Sequence, residues 1–483
     1  MAARKKSFYI IPGAYSMIGI GTIFRRRAGS GGPLPPDYAK WVKEHMVFWY
    51  DMSKPVDVYA ENFNDWTKFT GSKYTVTNKS VNITNFDAVN NACIYIAKSK
   101  KFNGITITVD GLLDGQEIAW GYNNNPLVRM PKNGTYTLEP IDSVTGNIGF
   151  RSINIVGACN ITITQLPSGQ SVPTNEILKA NPYLQDFSGN NRPLKLNNFL
   201  FAGMSGVGGY DISSTNILPD RANVTVTDNR IIHITKKLST TDNMVNIVPA
   251  NSNPTHKFKV TGLSDGRQVS LVNRNGGFYT FDNGEHEVTL TYPEGTTSLY
   301  NAIGVTGSAG DMDVTIEFIP RYPNALVTDG VDDYGQIQNL QQGVKVLFYT
   351  CNNFRLSQIL YDQRKIGYDN IQSSYFSIFT RTNTIAYNAR NVDGKTYIDG
   401  VLNETTIADN LLGKKTIITI VNNSVDSEKT GRPSFFSTYN NLGYFANLAF
   451  YNSIGFDSVP TKETDGFTEQ DLIDYVLENL ITK

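Results

Sequence analysis

Apolar and polar residues alternate over short runs along most of this chain. Residues 105–109 read ITITV and residues 161–164 read ITIT, and Asp-Gly or Asn-Gly pairs follow many such runs. A period of two places successive side chains on opposite faces of a strand, and these dipeptides favour hairpin turns. Longer apolar runs at residues 344–349 and 416–421 predict central strands. The pattern therefore predicts an all-β chain.

One segment near the C-terminus breaks this pattern. Residues 467–480 read FTEQDLIDYVLENL, with apolar residues at helical spacing. Thr468 followed by Asp471 is the arrangement of a capping box at a helix start. The apolar stripe consists of Leu472, Ile473, Val476 and Leu480. These features predict a final amphipathic helix.

Two parts of the chain repeat one order of strands and turns. Residues 74–84 align with 224–235, 105–120 with 257–272, 133–140 with 283–293, and 159–167 with 312–320. Asp-Gly and Asn-Gly turns fall between the same runs in both parts. We interpret the two parts as copies of one small β-sandwich, at residues 55–173 and 213–322. The alternative interpretation is chance similarity between two small sandwiches.

The remaining segments contain short motifs that resemble those of one fold. The motifs are FWYD at 48–51, DFSGNN at 186–191, VTDGVDDYGQI at 327–337, KTYIDGVL at 395–402 and GYFANLAFYN at 443–452. They resemble strands and loops of laminin-G-like domains, which form a concanavalin-A-type jelly roll. In that family the first three motifs lie close together, whereas here the two sandwich segments separate them.

The resemblance implies one discontinuous jelly roll with two insertions. Its parts would be residues 37–54, 174–212 and 323–483. A host loop accepts a whole domain readily because the two termini of a domain usually lie close together.

The first 36 residues have a composition of their own. An apolar run lies between Arg4-Lys5-Lys6 and Arg25-Arg26-Arg27, and the linker GSGGPLPP follows at 29–36. Gly and Pro interrupt the run, which is shorter than the ~20 residues of a membrane helix. We expect residues 1–36 to be an extended arm that docks on a partner. A secretory signal peptide is the alternative. The apolar side chains that would dock are Phe8, Tyr9, Ile10, Ile11, Ile18, Ile20, Ile23 and Phe24.

The arm and linker, together with VFWYDMSK at 47–54 and NPYLQDFSGNN at 181–191, resemble virion proteins of tailed bacteriophages of gut Bacteroidota. This resemblance implies a structural protein of a virion, as a tail fibre, a head fibre or a capsid decoration. The expected partners are other virion proteins and further copies of the chain, with a host surface glycan as a possible ligand. A secreted or surface carbohydrate-binding protein is the alternative.

Composition narrows the range of partners. The net charge is −1, so the molecule as a whole has no electrostatic attraction to nucleic acid. Three cysteines without CxxC spacing and four histidines without an HExxH pair predict neither a disulfide framework nor a zinc site. Asp329, Asp332 and Asp333 offer carboxylates for calcium, but a turn beside a solvated strand edge is the preferred interpretation. No metal or cofactor is therefore expected.

Two kinds of carbohydrate chemistry can be sought in the sequence. Retaining glucanases place two carboxylates ~5 Å apart on one strand, as in ExDxE. The nearest match is Glu463, Asp465 and Glu469, which a glycine interrupts, so we expect no enzyme and keep a glycan depolymerase as a less favoured hypothesis. For sugar binding, the candidate residues are Trp120, Tyr122 and Asn123. A loop with a core-facing tryptophan is the competing interpretation of that stretch.

Overall fold

The structure is a computed structural model of the full chain. It describes residues 38–77, 79–86, 92–122, 125–209, 212–217, 223–227, 230–238, 243–249, 255–273, 277–290, 301–337, 340, 343–354, 358–364, 377–381, 384–387, 394–403, 412–422, 430–437 and 445–481. The N-terminal arm lies outside these residues, and so does the predicted docking surface from Phe8 to Phe24.

The described chain is all-β, as predicted, and its two largest sheets face each other as a jelly-roll sandwich. The eight-stranded sheet contains Met46–Asp51, Gly206–Val207, Leu326–Asp329, Val346–Asn353, Gly394–Ile398, Val401–Leu402, Lys415–Asn422 and Asn447–Phe456. The seven-stranded sheet contains Tyr183–Leu184, Leu194–Asn197, Tyr334–Ile337, Gln358–Arg364, Ser377–Arg381, Thr384–Tyr387 and Thr430–Phe435. All strand pairs in both sheets are antiparallel.

Three distant sequence segments meet in this sandwich. Met46–Asp51 pairs with Asn447–Phe456 in one sheet, and Leu194–Asn197 pairs with Tyr334–Ile337 in the other. Side chains from all three segments share one core between the sheets, including Phe48, Tyr50, Leu196, Ile337 and Tyr349. This pairing is what a discontinuous jelly roll requires. The exact domain boundaries stay a prediction.

Helices cover part of the outer face of the eight-stranded sheet. Tyr38–His45 and Glu469–Asn479 pack there in a second apolar cluster that contains Trp41, Trp49 and Ile473. The predicted capping box at the start of the C-terminal helix is confirmed, since the Thr468 side chain accepts from the Asp471 backbone and Asp471 returns the bond. The other described helices are short, namely Phe63–Asp65, Asn175–Ala180 and Lys462–Asp465. No helix in the described part of the chain is long and apolar enough to cross a bilayer.

Between the jelly-roll segments lie two smaller sandwiches, each with two five-stranded sheets. The first sandwich has one sheet of Lys73–Val76, Ser80–Phe86, Gly157–Gln165, Ile105–Asp110 and Gly134–Leu138, and another of Thr67–Lys68, Ala92–Ile96, Ile148–Ile153, Glu117–Tyr122 and Asn125–Met130. The second has one sheet of Val224–Thr227, Ile231–Lys237, Gly310–Phe318, Thr255–Thr261 and Gly284–Thr289, and another of Ile212–Ile217, Asn243–Pro249, Asn301–Thr306, Gln268–Asn273 and Phe278–Phe281. Written in this spatial order, the strands correspond one to one.

Equivalent turns show how closely the two sandwiches match. Gly111 and Gly262 have φ of +89° and +86°, and a Cβ on either would lie 1.9 Å from the Asn160 carbonyl oxygen or 1.8 Å from that of Asp313. Only glycine fits such a backbone at so close an approach. Because the same turn occurs at the same place in both strand orders, these two glycines fix the alignment of the sandwiches.

The glycine turns correct one detail of the sequence alignment. That alignment paired Ile105 with Lys257, whereas counting back from Gly111 and Gly262 pairs Ile105 with His256. Burial agrees with the correction, since Ile105 and His256 are buried and Lys257 is exposed. A slip of one residue exchanges the two faces of a strand, so turn geometry had to decide it.

Each small sandwich joins the jelly roll through paired chain segments. Val56–Val58 and Gly169–Ser171, which flank the first sandwich, form a two-stranded sheet. Around the second sandwich, the Arg321 backbone N–H donates to the Gly209 carbonyl at 2.9 Å, and the Tyr322 N–H donates to Gly208 at 2.8 Å. The incoming and outgoing segments therefore run side by side in both cases.

Candidate functional site

The predicted sugar-stacking tryptophan lies in a hydrophobic core. Trp120 is 1% exposed, and its ring centroid lies 5.0 Å from that of Phe102, 5.1 Å from Phe150 and 5.3 Å from Trp66. The stacking role predicted for Trp120 is therefore wrong, because a sugar cannot reach the ring face. Tyr122 is half-buried against the same core, and Asn123 lies outside the described residues.

The candidate carboxylates near the C-terminus are occupied in holding the chain. Asp465 accepts from the Thr461 backbone N–H at 2.8 Å and from Trp41 Nε1 at 3.1 Å, and the first of these bonds does most to lower the pKa of its carboxyl. Glu469 accepts from the Tyr397 hydroxyl and the Lys395 ammonium. These contacts tie the last helix to the eight-stranded sheet.

Asp329, Asp332 and Asp333 have carboxylate oxygens within 4.8 Å of one another. Asp333 is fully buried, where it accepts from the Ser205 hydroxyl at 3.0 Å and from the Asp329 backbone N–H at 3.0 Å. Asp329 in turn accepts from the Val331 N–H at 2.8 Å. Burial is the main cause that raises the pKa of Asp333, to about 8. The group closes the turn between two strands, and in this state Asp333 binds a proton near neutral pH.

Replacing Asp333 with asparagine is expected to flatten the pH dependence of stability. The folded pKa lies above the ordinary value, so the folded state binds more protons than the unfolded state between pH ~4 and 8, and stability falls as the pH rises through this window. An asparagine keeps both hydrogen bonds without titrating. The free energy of unfolding, measured in urea with a chelator, is expected to fall by up to ~1.4 kcal/mol per pH unit more in the wild type than in the variant. Equal slopes would contradict the prediction.

A polar cleft of about 100 Å³ opens on the outer face of the eight-stranded sheet. Asp51 is two residues from Trp49, and Asn452 is two residues from Ile454, so both share the face that the helices cover elsewhere. We call this site the Asp51 cleft. Its lining residues in the described part of the chain are Asp51, Ser53, Pro323, Asn324, Lys415, Tyr451 and Asn452.

A β-bulge places two neighbouring side chains in the Asp51 cleft. Asn452 pairs with Thr350 and Phe450 pairs with Cys351, which leaves Tyr451 as the extra residue. An extra residue in one strand re-aims the side chains around it. As a result Tyr451 and Asn452 both line the cleft, and the Lys415 Nζ lies 4.6 Å from the centroid of the Tyr451 ring.

One carboxylate oxygen in the Asp51 cleft has no partner. Asp51 is 5% exposed, and its Oδ1 accepts from the Ser53 backbone N–H at 2.9 Å and from the Ser53 hydroxyl at 2.6 Å. Its Oδ2 is buried without a hydrogen bond. A buried acceptor left in this state costs about 1–3 kcal/mol, and more when it is charged, so a donor from a ligand or water is favoured there.

The Asp51 cleft combines groups that bind hydroxylated ligands. Asp51 offers an acceptor, Lys415 a donor and Tyr451 an aromatic surface, while the Asn452 side-chain oxygen accepts from the Thr350 hydroxyl at 2.7 Å. Sequence reasoning noted the motif that contains Asp51 but not the residue. The available signal was an acidic residue at a position where the period of the strand calls for a buried one.

Comparisons with known proteins give little further guidance. No protein-family model matches the chain, and no curated protein matches it. Weak matches among solved structures include oxalate decarboxylase from Bacillus subtilis, in a structure from work on its Mn(II) centres. That match is 6% identical, has a TM-score of 0.10, and covers 63% of this chain and 89% of the enzyme. A mutant of the same enzyme is 7% identical, with a TM-score of 0.10 and coverage of 62% and 88%. Similarity at this level supports no argument about fold or activity.

Proposed function

We propose that the chain is a non-enzymatic structural protein of a phage virion, a fibre or decoration protein, that binds a host glycan through its jelly roll. In this proposal residues 1–36 anchor the chain to other virion proteins, and the chain acts as a homo-oligomer. The virion assignment is supported by the sequence resemblance of the arm, the linker and the motifs at 47–54 and 181–191.

The observation that carries the binding role is the unpartnered Oδ2 of Asp51 in a polar cleft. A sugar hydroxyl donates to such an oxygen, while neighbouring hydroxyls accept from the Lys415 ammonium. Among the described lining residues Asp51 is the only carboxylate, whereas a glycosidase of the usual kind needs two. This favours binding over hydrolysis.

The paired chain segments beneath both small sandwiches fit a structural role. Each sandwich has its own core, formed around residues such as Trp120 in the first and Phe258 in the second. Separate cores on a common jelly roll suit a protein that projects from a particle.

One experiment on particles of the phage that encodes this chain tests the whole proposal. We expect mass spectrometry of purified particles to find the chain with residues 1–36 intact, and host capsular oligosaccharides to stay uncleaved. Particles with Asp51→Asn are expected to adsorb to host cells about tenfold more weakly, because a hydrogen bond to a charged acceptor contributes about 1.5–3 kcal/mol.

The control is Asp114→Asn, the same substitution at an exposed turn of the first sandwich. It is expected to leave adsorption unchanged. A chain that is absent from particles and starts beyond Phe24 would instead support a secreted carbohydrate-binding protein. Particles that contain the chain but adsorb equally with Asp51→Asn would refute the glycan role alone.

A further inference from the structure

The two small sandwiches have equivalent clefts of different chemistry. Each cleft lies where the nine-residue strand of its sandwich ends, beside the proline that follows that strand, Pro167 in the first and Pro320 in the second. The two nine-residue strands, Gly157–Gln165 and Gly310–Phe318, have the same sequence of buried and exposed positions. The clefts can therefore be compared residue by residue.

In the first sandwich the cleft is lined by ordinary sandwich residues. Ile105 is buried in the core, Thr106 and Thr137 line the opening, and the cleft measures about 210 Å³. The Thr106 and Thr137 hydroxyls lie 3.4 Å apart across their strand pair. This cleft shows that the sandwich folds with an aliphatic residue at the buried position.

In the second sandwich His256 takes the place of Ile105, Lys257 that of Thr106, and Glu287 that of Thr137. The cleft, which we call the His256 cleft, measures about 490 Å³. Pockets for small molecules fall in the range of about 300–1,000 Å³. The same strand positions thus carry a larger and more polar cleft in the second copy.

The imidazole of His256 is in an unusual state. The side chain is 1% exposed, and its Nε2 lies 3.4 Å from the amide nitrogen of Asn301, which can only donate. This contact leaves the ring proton on Nδ1, and Nδ1 is buried without a hydrogen-bond partner. Burial lowers the pKa of His256 to about 4, so the ring is neutral at pH 7. A neutral Nδ1–H donor therefore lines the cleft and lacks an acceptor.

Positive charge stands at the rim of the His256 cleft. Lys257 and Arg321 both line it and are both exposed. The Lys257 Nζ lies 3.7 Å from a Glu287 carboxylate oxygen, and both side chains are more than half exposed. An exposed pair of this kind is weak in water, so Lys257 can turn to a ligand at little cost.

We propose that the His256 cleft binds the oxyanion of an acidic sugar, which accepts from His256 Nδ1–H and is attracted by Lys257 and Arg321 at the rim. The oxyanion is a uronate carboxylate or a sugar phosphate, since both supply the acceptor and the negative charge that the cleft lacks. This site is separate from the Asp51 cleft and does not depend on it. The first sandwich, with Ile105 and Thr106, lacks the donor and the cation and is not expected to bind.

The test is a titration of the full-length chain with its histidine rings labelled with ¹³C, using glucuronate, glucose 6-phosphate and neutral glucose. The chain has four histidines, so the resonances are readily assigned by substitution. We expect the His256 signal to shift with at least one of the two acids and not with glucose, while the signals of His45, His233 and His286 stay in place. Which acid acts identifies the source of the oxyanion.

The matched variants come from the first sandwich itself. His256→Ile restores the residue that the first copy tolerates, so it is expected to fold and to weaken binding of the acid by about tenfold or more, as followed on the ligand signals. Lys257→Thr is expected to weaken binding severalfold and to reduce its salt dependence. Asp51→Asn is expected to leave this binding unchanged. An unmoved His256 signal with both acids, equal binding of glucose, or full affinity in His256→Ile would each overturn the proposal.

Discussion

Gly262→Ala is expected to destabilise the second sandwich by ~4 kcal/mol, enough to unfold it in many conditions. The added Cβ would lie 1.8 Å from the Asp313 carbonyl oxygen, and φ is +86°, where an alanine is strained. The contact is with the backbone of a central strand, so no side chain can move aside to relieve it. Hydrogen exchange is expected to show loss of protection in Ile231–Lys237 and Gly310–Phe318, which pair in the same sheet.

Gly266→Ala is the matched control. Gly266 also has a positive φ, of +69°, but a Cβ there would meet nothing within 4 Å. Its expected cost is therefore the backbone strain alone, ~1–2 kcal/mol. The equivalent pair in the first sandwich, Gly111 and Gly115, is expected to behave in the same way. Similar costs for Gly262→Ala and Gly266→Ala would show that the close approach to Asp313 does not exist.

Trp120→Ala is expected to destabilise the first sandwich by ~3–5 kcal/mol, because it leaves a large cavity in a packed core. The rings around it, Trp66, Phe102 and Phe150, cannot all move to fill the space. Binding of glycan to the Asp51 cleft is expected to stay unchanged at temperatures where the variant is folded. Circular dichroism during heating gives the first quantity and glycan titration the second.

Leu113→Ala is the control for the loss of apolar side-chain atoms in the same sandwich. Leu113 is 70% exposed, so its truncation is expected to change stability by less than ~0.5 kcal/mol. If Trp120→Ala instead weakened glycan binding and left the melting temperature unchanged, the ring would be a sugar platform after all. That outcome would contradict its burial.

Several local features were readable from the sequence because they depend on neighbouring residues. Alternation predicted Ile105–Asp110 and Lys415–Asn422 as strands, and both are present. The Asp-Gly and Asn-Gly turns separated equivalent strands of the two small sandwiches. The start of the C-terminal helix at Thr468 followed from a hydrogen-bond exchange over three residues.

The candidate sites were less readable, because each one joins residues from distant parts of the chain. The Asp51 cleft needs Asp51 beside Tyr451 and Lys415, and no local pattern brings these together. The His256 cleft became visible only when the glycine turns corrected the alignment by one residue. In the uncorrected alignment His256 had no counterpart in a buried position.

The sequence by itself determined the strand periods, the turns, the final helix and the repeated order of strands, since these follow from backbone preferences and from contacts between near neighbours. Tertiary structure decided which face of each strand lies inside. A period of two says that Trp120 and Ile118 share one face of their strand, but not that this face meets a second sheet. The inside of a sheet is defined by what packs against it, and only the folded chain supplies that partner.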